Sequence, residues 1–424
     1  MFLSTIFVVT IATASGVLIQ GPWSNVNDTP SSRAKALLAN MTQQEKLSML
    51  HGPETGPCCS CNFSASCAYV GNINQIERLG IPPTNMNDGP QGFRDNVHPG
   101  TTTAWPSGLT MAATWDVEAM KEWGIGMGKE FFAKGANVQL GPGLCLARVP
   151  RNGRNFEYLS GEDPFLGYTL VQPVIQGIQS QKVIANAKHY AFNNQETNRG
   201  AVSEEVDERT RFEMYYPAFA GAIEAGVGSI MCSYNKINGI WSCENPVTLK
   251  HDLKNYSGFK GFVMSDWGAT HSTSISEGLD VEMPSANFMN PRNITSGLSS
   301  GSITQASVDD AVERILYAMF SVGVMDEPIE AWDWSKQKTN STTEASVASA
   351  RKLSGMSTVL LKNEKNTLPL PTGKKIAVIG FGSSNAVVHG GGSGSVVASY
   401  TARPIDGIRA LAGTGKLNLF LCIL

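Results

Sequence analysis

The stretch Gly261-Phe262-Val263-Met264-Ser265-Asp266-Trp267-Gly268 decides the fold class. Its apolar residues predict a short buried strand that ends in a carboxylate, an indole and a glycine at which the chain can turn. An unpaired carboxylate in an apolar setting costs several kcal/mol, so Asp266 should have either a structural partner or a function. A capping or turn-forming aspartate is the simpler interpretation of this residue alone. Reactive groups at strand ends are typical of barrel enzymes, which instead predicts that Asp266 is a nucleophile.

Strand-like segments alternate with helical patterns on both sides of this stretch. Such alternation predicts an α/β fold with a parallel sheet, here a TIM-like (β/α)8 barrel over residues 15–325. Eight regular units cannot be counted, so an irregular or incomplete barrel stays open. The predicted helices cover 33–50 (with a new start at a capping box, 42–45), 116–134, 163–181, 209–225 and 304–322, and the predicted strands lie within 84–88, 137–143, 183–191, 228–234, 261–266 and 278–284.

A composition change after residue 325 indicates a second, smaller domain. Residues 326–343 are polar and rich in Pro and Trp, which suits a linker. The second domain then covers 344–412, with a helix to about 356, strands at 357–361 and 376–379, and a flexible glycine-rich loop at 390–394. Residues 413–424 form an atypical hydrophobic tail, too short to cross a membrane.

Composition and termini predict a secreted soluble protein. A net charge of −3, with 42% hydrophobic and 16% charged residues, gives no support to a nucleic-acid or membrane partner. Residues 1–14 are uncharged and mostly apolar and end in Ala-Thr-Ala, which predicts a signal peptide even though no Lys or Arg precedes the apolar run. Six glycosylation sequons agree with secretion. They are Asn27, Asn40, Asn62, Asn255, Asn293 and Asn340.

The eight cysteines predict disulfides rather than a metal site. Four of them crowd one loop, and a single CxxC without a second one or a nearby histidine pair makes zinc improbable. Cys232 and Cys243 flank a turn that one bridge would close, whereas Cys145 and Cys422 have no evident partners. The four crowded residues are Cys58, Cys59, Cys61 and Cys67.

Polar and aromatic residues recur where the predicted strands end. If they converge at one barrel mouth, charged groups can hold vicinal hydroxyls and aromatic faces can stack on a sugar ring. Each residue alone also has an ordinary explanation as a surface ion pair, a core histidine or plain packing. The set comprises Asp88, Arg148, Arg154, Lys188, His189, Met231, Tyr234, Asp266 and Trp267.

Glycoside hydrolysis with retention needs two carboxyl groups about 5–5.5 Å apart, one attacking and one donating a proton. From the residues alone, Asp88 is the candidate partner of Asp266. Cations at Lys188 and Arg148 would stabilise ionised carboxylates, which suits a nucleophile and not a proton donor. The residues therefore leave the general acid unidentified.

From about residue 33 to 411 the chain resembles the secreted β-glucosidases of glycoside hydrolase family 3. Six motifs in the barrel region carry the resemblance, and 357–363 with 368–370 look like the entry to the family's second domain, an α/β sandwich. The six motifs are Asn87-Asp88-Gly89-Pro90-Gln91-Gly92-Phe93-Arg94, Ala112-Ala113-Thr114-Trp115, Gly153-Arg154-Asn155-Phe156-Glu157-Tyr158 with Gly161-Glu162-Asp163-Pro164, Ala187-Lys188-His189-Tyr190, Met231-Cys232-Ser233-Tyr234-Asn235 and Val263-Met264-Ser265-Asp266-Trp267.

The resemblance implies a retaining β-glucosidase without a cofactor. Asp266 would form the glycosyl-enzyme, a first group of residues would hold the hydroxyls of the first sugar, and a second group would line its subsite. The general acid would be a glutamate of the second domain that lies beyond residue 424, so that activity is impaired. A non-catalytic glucoside-binding relic and a β-xylosidase are the alternatives. The first group is Asp88, Arg148, Lys188 and His189, and the second is Met231, Tyr234 and Trp267.

Two further motifs point to other functions and are weaker. Gly380-Phe381-Gly382 follows a predicted strand, but the third glycine of a dinucleotide fingerprint is replaced by Asn385. The related hexosaminidases carry a second histidine shortly after the Lys-His pair, whereas here Lys188-His189 continues as Tyr-Ala-Phe-Asn. Neither motif therefore displaces the β-glucosidase interpretation.

Overall fold

The computed structural model describes residues 21–54, 68–370 and 375–412, together with the backbone of 417–420. The predicted signal peptide, the cysteine-rich loop, the sequon at Asn62 and Cys422 lie outside these residues. Within the described part of the chain, no helix is long and apolar enough to cross a membrane.

The strands form three sheets. Their bounds are β1 Gly71–Ile73, β2 Thr84–Asn87, β3 Val138–Gln139, β4 Ile184–Tyr190, β5 Ser203–Glu204, β6 Ser229–Cys232, β7 Lys236–Ile237, β8 Ile240–Trp241, β9 Phe262–Ser265, β10 Ile376–Ile379 and β11 Leu417–Phe420. The main sheet has the order β1-β2-β3-β4-β6-β9, in which β1 is antiparallel to β2 and the other pairs are parallel. Every residue of β2, β4, β6 and β9 is buried, which is typical of a parallel sheet covered by helices.

The helices begin and end where the sequence places caps. The capping box at Thr42 and Glu45 is present, and Asp116 and Asp163 accept hydrogen bonds from the first turns of the helices Val117–Ala133 and Pro164–Gln179. These starts confirm the helix starts predicted at 42, 116 and 163, whereas the predicted helix 209–225 is divided into two α-helices with a π-helical segment between them. The bounds are α1 Pro30–Leu38, α2 Gln43–Ser48, α3 Gly108–Ala112, α4 Val117–Ala133, α5 Pro164–Gln179, α6 Glu208–Thr210, α7 Pro217–Glu224, α8 Pro291–Ser300, α9 Gln305–Val322, α10 Glu344–Met356 and α11 Pro404–Ala412, with π-helical segments at Arg211–Tyr215 and Val247–Tyr256.

The main sheet curls so that its two ends approach each other. Beyond β9, single bridges join Val281 to β9 and Glu282 to His51. The indole Nε1 of Trp267, just after β9, donates a 2.9 Å hydrogen bond to the carbonyl of Val70, just before β1. The predicted TIM-like α/β fold is confirmed, in the irregular form that the sequence left open.

The predicted strand within 278–284 does not form as a continuous strand. Its strand pairing is limited to the two single bridges, because the segment starts at Gly278 with φ +112° and ends at Pro284, which has no N–H to donate to a neighbour.

The second part of the chain keeps the predicted α10 and β10, and β10 pairs in parallel with the backbone of β11, inside the predicted tail. The predicted strand at 357–361 is wrong: no strand pairs with it among the described residues, and the side chains of Val359, Leu360 and Leu361 are exposed. The predicted linker 326–343 lies against the barrel, since Trp332 is fully buried.

A buried ion pair fixes this linker to the loop after β2. The Lys134 ammonium lies 2.9 Å from the Asp95 carboxylate and also donates to the hydroxyl of Thr101 and the carbonyl of Gln337. Both charged side chains are at most 1% exposed, so each depends on the other for its compensation.

Replacing Lys134 by Met should lower the free energy of unfolding by about 3–5 kcal/mol, because it leaves a buried carboxylate unpaired. Urea unfolding followed by tryptophan fluorescence measures the loss. Lys352→Met is the matched control: its ion pair with Glu122 is as short, at 2.7 Å, but the lysine is 59% exposed, so its loss should stay within about 1 kcal/mol. Equal losses in the two variants would contradict the structural role of Lys134.

Candidate active site

A cavity of about 400 Å³ lies at the carboxyl ends of the parallel strands. Eight of the nine predicted site residues line it, because β2, β4, β6 and β9 all end at this edge of the sheet. The eight are Asp88, Arg154, Lys188, His189, Met231, Tyr234, Asp266 and Trp267.

Asp266 presents one carboxylate oxygen that has no hydrogen-bond partner in the described part of the chain. Its Oδ1 accepts a 2.7 Å hydrogen bond from the Trp267 backbone N–H, whereas Oδ2 lies 3.4 Å from His189 Nε2 without hydrogen-bonding geometry. Burial raises the pKa of Asp266, and the charges of Arg154 and Lys188 oppose that rise. The arrangement provides a fixed carboxylate with one unencumbered oxygen.

His189 is held in its neutral form. Its Nε2 lies 3.1 Å from an Arg154 guanidinium nitrogen, which can only donate, so Nε2 accepts and the proton resides on Nδ1. Nδ1 lies 3.0 Å from the Tyr158 hydroxyl, whose oxygen accepts the hydrogen bond from Nδ1–H. Burial and the charges of Arg154, Lys188 and Arg199 push the pKa of His189 well below its usual value. Positive charge near Asp266 therefore comes from the arginine and the lysine.

Arg154 is oriented by a buried carboxylate. Its Nε donates a 2.5 Å hydrogen bond to Glu157 Oε1, three residues later in a single helical turn. The other oxygen of Glu157 accepts a 3.2 Å hydrogen bond from the Ser393 hydroxyl, which belongs to the second part of the chain. Glu157 thus fixes the guanidinium beside His189 and attaches it to a distant segment.

The glycine-rich loop at 390–394, predicted to be flexible, forms one wall of the cavity. The Phe156 ring packs so tightly on Gly390 and Gly394 that a Cβ at either position would lie 2.2 or 2.7 Å from it. Arg94 joins the two walls, since its Nη1 lies 3.2 Å from Asp88 Oδ2 and donates a 3.0 Å hydrogen bond to the carbonyl of Gly392. Only glycine at positions 390 and 394 leaves room for the Phe156 ring.

Arg148 is not part of the cavity, which corrects the sequence-based assignment. Its side chain is exposed and donates a 3.0 Å hydrogen bond to the Tyr215 hydroxyl. The loop turns at Gly153, with φ +100°, and this turn directs the next residue, Arg154, into the cavity.

The predicted bridge between Cys232 and Cys243 is present, with a Cα–Cα distance of 5.2 Å, and Cys145 is a buried free thiol. The bridge closes the turn that carries Tyr234, whose hydroxyl donates a 3.3 Å hydrogen bond to the Trp267 carbonyl. Among the described residues, no group of three or more His, Cys, Asp or Glu side chains is placed to hold a metal ion.

Several cavity residues were given no role by the sequence analysis. Arg94 and Glu157 stand within quoted motifs, and the i,i+3 spacing of Glu157 from Arg154 could have indicated an ion pair. Glu196 and Arg199 lie in an irregular loop after β4 without any periodic signal. The remaining unassigned residues are Val70, Gly153, Phe156, Gly391, Gly392 and Ser393.

Two family models match the chain. Residues 62–318 match the Glycosyl hydrolase family 3 N terminal domain, and residues 358–417 match the Glycosyl hydrolase family 3 C-terminal domain.

Curated relatives include Probable beta-glucosidase L of Emericella nidulans, which is 37% identical over 92% of this chain and 55% of its own length. Beta-glucosidase B of the same fungus is 36% identical over 90% of this chain and 44% of its own length. The chain thus spans about half the length of the curated relatives it matches.

The chain is also similar to solved structures of longer proteins. Beta-D-glucoside glucohydrolase from Trichoderma reesei superposes with a TM-score of 0.84 at 33% identity, covering 95% of this chain and 57% of that one. DesR, a beta-glucosidase from Streptomyces venezuelae solved in complex with D-glucose, has a TM-score of 0.80 at 34% identity, covering 92% and 50%.

Replacing Lys188 by Met should raise the pKa of Asp266 further, because a nearby positive charge that stabilises the carboxylate is lost. Carboxyl ¹³C NMR titration measures this pKa, with the Asp266 signal identified by its absence from Asp266→Asn. Arg148→Met is the control and should leave the titration unchanged, since its side chain lies outside the cavity. An unchanged or lower pKa in Lys188→Met would contradict the electrostatic account.

Proposed function

Because the chain belongs to glycoside hydrolase family 3, we propose that it is a retaining β-glucosidase acting on terminal, non-reducing β-D-glucosyl residues of oligosaccharides. The observation that carries the proposal is the unpaired Oδ2 of Asp266 in a cavity lined by cations, a neutral histidine and aromatic side chains. A buried carboxylate with a free oxygen suits attack on an anomeric carbon.

In the proposed reaction, Oδ2 of Asp266 bonds to the anomeric carbon while the bond to the leaving-group oxygen breaks. Water then attacks the same carbon from the face that the leaving group vacated and loses a proton, which balances the proton that the departing oxygen takes up. This step releases β-glucose and regenerates the carboxylate. The charges of Arg154 and Lys188 favour the ionised form of Asp266 that the first step needs, whereas burial raises its pKa.

The same cavity supplies groups for the sugar hydroxyls. Asp88, Arg154, Lys188 and His189 provide acceptors and donors at short spacing, as vicinal hydroxyls require. Three further side chains offer apolar or aromatic surface for the ring, namely Met231, Tyr234 and Trp267. The D-glucose complex of DesR supports this ligand class.

We infer that none of the other cavity carboxylates serves as the general acid. Asp88 lies against Arg94, Glu157 against Arg154, and Glu196 against Arg199, so each carboxylate forms an ion pair with a guanidinium. The family resemblance assigns the acid to a glutamate of the second domain beyond residue 424. Residues 1–424 should therefore hydrolyse unactivated glucosides poorly.

Secretion and the domain bounds 15–325 and 344–412 are part of the proposal. The sequons at Asn27, Asn40, Asn255 and Asn340 lie at exposed positions, which supports exposure to the glycosylation machinery. A non-catalytic glucoside-binding protein and a β-xylosidase are the competing functions, and labelling of Asp266 separates the first of them from an enzyme.

A 2-deoxy-2-fluoroglucoside with a good leaving group should label Asp266 covalently, detected as a mass increase on the peptide that contains it. Arg154→Met should lower the second-order labelling rate roughly tenfold or more, since charge-assisted hydrogen bonds contribute about 1.5–3 kcal/mol. Arg148→Met is the matched control and should label like the parent protein. A parent protein that binds glucose but is never labelled would favour the non-catalytic alternative, and faster labelling by the corresponding xyloside would favour a xylosidase.

Residues 1–424 should cleave 2,4-dinitrophenyl β-glucoside, whose leaving group needs no proton, and azide should accelerate turnover by attacking the glycosyl-enzyme. Cleavage of cellobiose should be slower than that of a full-length relative by roughly 10²–10⁴-fold, the usual contribution of general acid catalysis. Efficient cellobiose hydrolysis without azide would mean that a general acid lies within these residues.

A further inference from the structure

Arg199 and Glu196 lie at the mouth of the cavity, where the sequence analysis assigned no role. Their side chains are 38% and 34% exposed, whereas those of Asp266 and His189 at the bottom are 10% and 1% exposed. A sugar bound over Asp266 occupies the deep part of the cavity, so the group attached to its anomeric oxygen extends toward the mouth. Arg199 is therefore on the path of the leaving group.

Arg199 is held in one orientation before any ligand binds. Its Nη1 donates a 2.8 Å hydrogen bond to Glu196 Oε2, and its guanidinium carbon lies 4.2 Å from the centre of the Tyr234 ring. A guanidinium fixed by an ion pair and by stacking has already lost most of its rotational freedom, which lowers the entropic cost of binding a ligand.

Glu196 is in turn anchored to the loop that carries Arg154. Its backbone N–H donates a 3.0 Å hydrogen bond to the Asn152 carbonyl, and its Oε1 lies 3.6 Å from an Arg154 nitrogen. A Cβ on Gly153 would lie 3.1 Å from the Glu196 Cγ, so a side chain at that position would crowd the carboxylate. The mouth of the cavity is thus attached to the residues that surround the nucleophile.

The Arg199 guanidinium has further N–H groups that can donate hydrogen bonds. In the described part of the chain, the hydrogen bond to Glu196 is the single one that the Arg199 side chain makes, so Nε and Nη2 remain open at the cavity wall. Arginine presents several N–H groups in a planar fork, which suits the spaced oxygens of a polyhydroxylated ligand.

We propose that Arg199, oriented by Glu196, forms the binding subsite for the leaving group and selects a second sugar over an apolar group. The inference rests on the proposed function, because it assumes a glucosyl unit bound over Asp266. A sugar at this position has hydroxyls that accept from Nε and Nη2. An aryl group has no such acceptors. When it binds, the Arg199 guanidinium loses part of its hydration and gains no hydrogen bond in return.

The test measures binding to the full chain carrying Asp266→Asn, which prevents turnover. Calorimetry gives the affinities for glucose, cellobiose and phenyl β-D-glucoside. Adding Arg199→Met should weaken cellobiose binding about tenfold, as expected for hydrogen bonds to a charged group, while glucose changes by less than about twofold and phenyl glucoside binds as tightly as before or more tightly, because the guanidinium is no longer desolvated. Arg199→Lys should retain part of the cellobiose affinity. Arg151→Met is the matched control: this arginine is exposed outside the cavity lining, and all three affinities should stay unchanged.

Two outcomes would overturn the subsite alone. An equal loss for all three ligands would mean that Arg199 acts through Tyr234 on the first sugar, and unchanged cellobiose affinity would mean that Arg199 contributes nothing. Glu196→Gln should lower cellobiose affinity in the same selective way, because it loosens the guanidinium. If the Asp266→Asn parent binds none of the three ligands, the proposed function fails and the subsite with it.

Discussion

The architecture of the cavity depends on holding one ionisable carboxylate where burial opposes its charge. Asp266 stands at the end of a fully buried strand, and the local N–H of Trp267 satisfies only one of its oxygens. The other oxygen stays available because the neighbouring imidazole is neutral and accepts from Arg154 instead of donating to the carboxylate. The positive charges of Arg154 and Lys188, together with the hydrogen bond from the Trp267 N–H, therefore stabilise the ionised form.

This arrangement requires nearby cations that do not form a direct ion pair with the Asp266 carboxylate. Arg154 is kept in place by Glu157, and Arg94 by Asp88 and the Gly392 carbonyl. Each guanidinium thus forms an ion pair with an acid other than Asp266, while its positive charge still acts on groups in the cavity. These ion pairs also involve the other carboxylates that line the cavity. None of those carboxylates is therefore an evident proton donor.

The second part of the chain follows the barrel in sequence and also contributes to the site. Hydrogen bonds from Ser393 to Glu157 and from Arg94 to Gly392 connect the barrel with a loop 236 and 298 residues away in sequence. The close packing of Phe156 on two glycines makes that connection possible. A catalytic role for residues beyond the barrel therefore agrees with how the cavity wall is built.

Local sequence signals predicted most of the framework. Helical periodicity and side-chain caps located α4, α5 and α9, and the apolar run before Asp266 located both β9 and the candidate nucleophile. Such signals suffice because a cap or a buried strand is specified by residues a few positions apart. The bridge between Cys232 and Cys243 was predictable for the same reason.

Tertiary structure alone decided which irregular segments face the cavity. Two of the arginines after β3 were predicted site residues, and a turn at Gly153 admits Arg154 while Arg148 binds Tyr215 on the outside. Segment 357–361 has the apolar composition of a strand but no partner strand in the described chain. Arg199 carries no periodic signal at all, since the groups that orient it and the cavity it faces are assembled from separate loops. Composition and spacing fix what a residue can do locally, whereas contacts between distant segments fix where an irregular loop points.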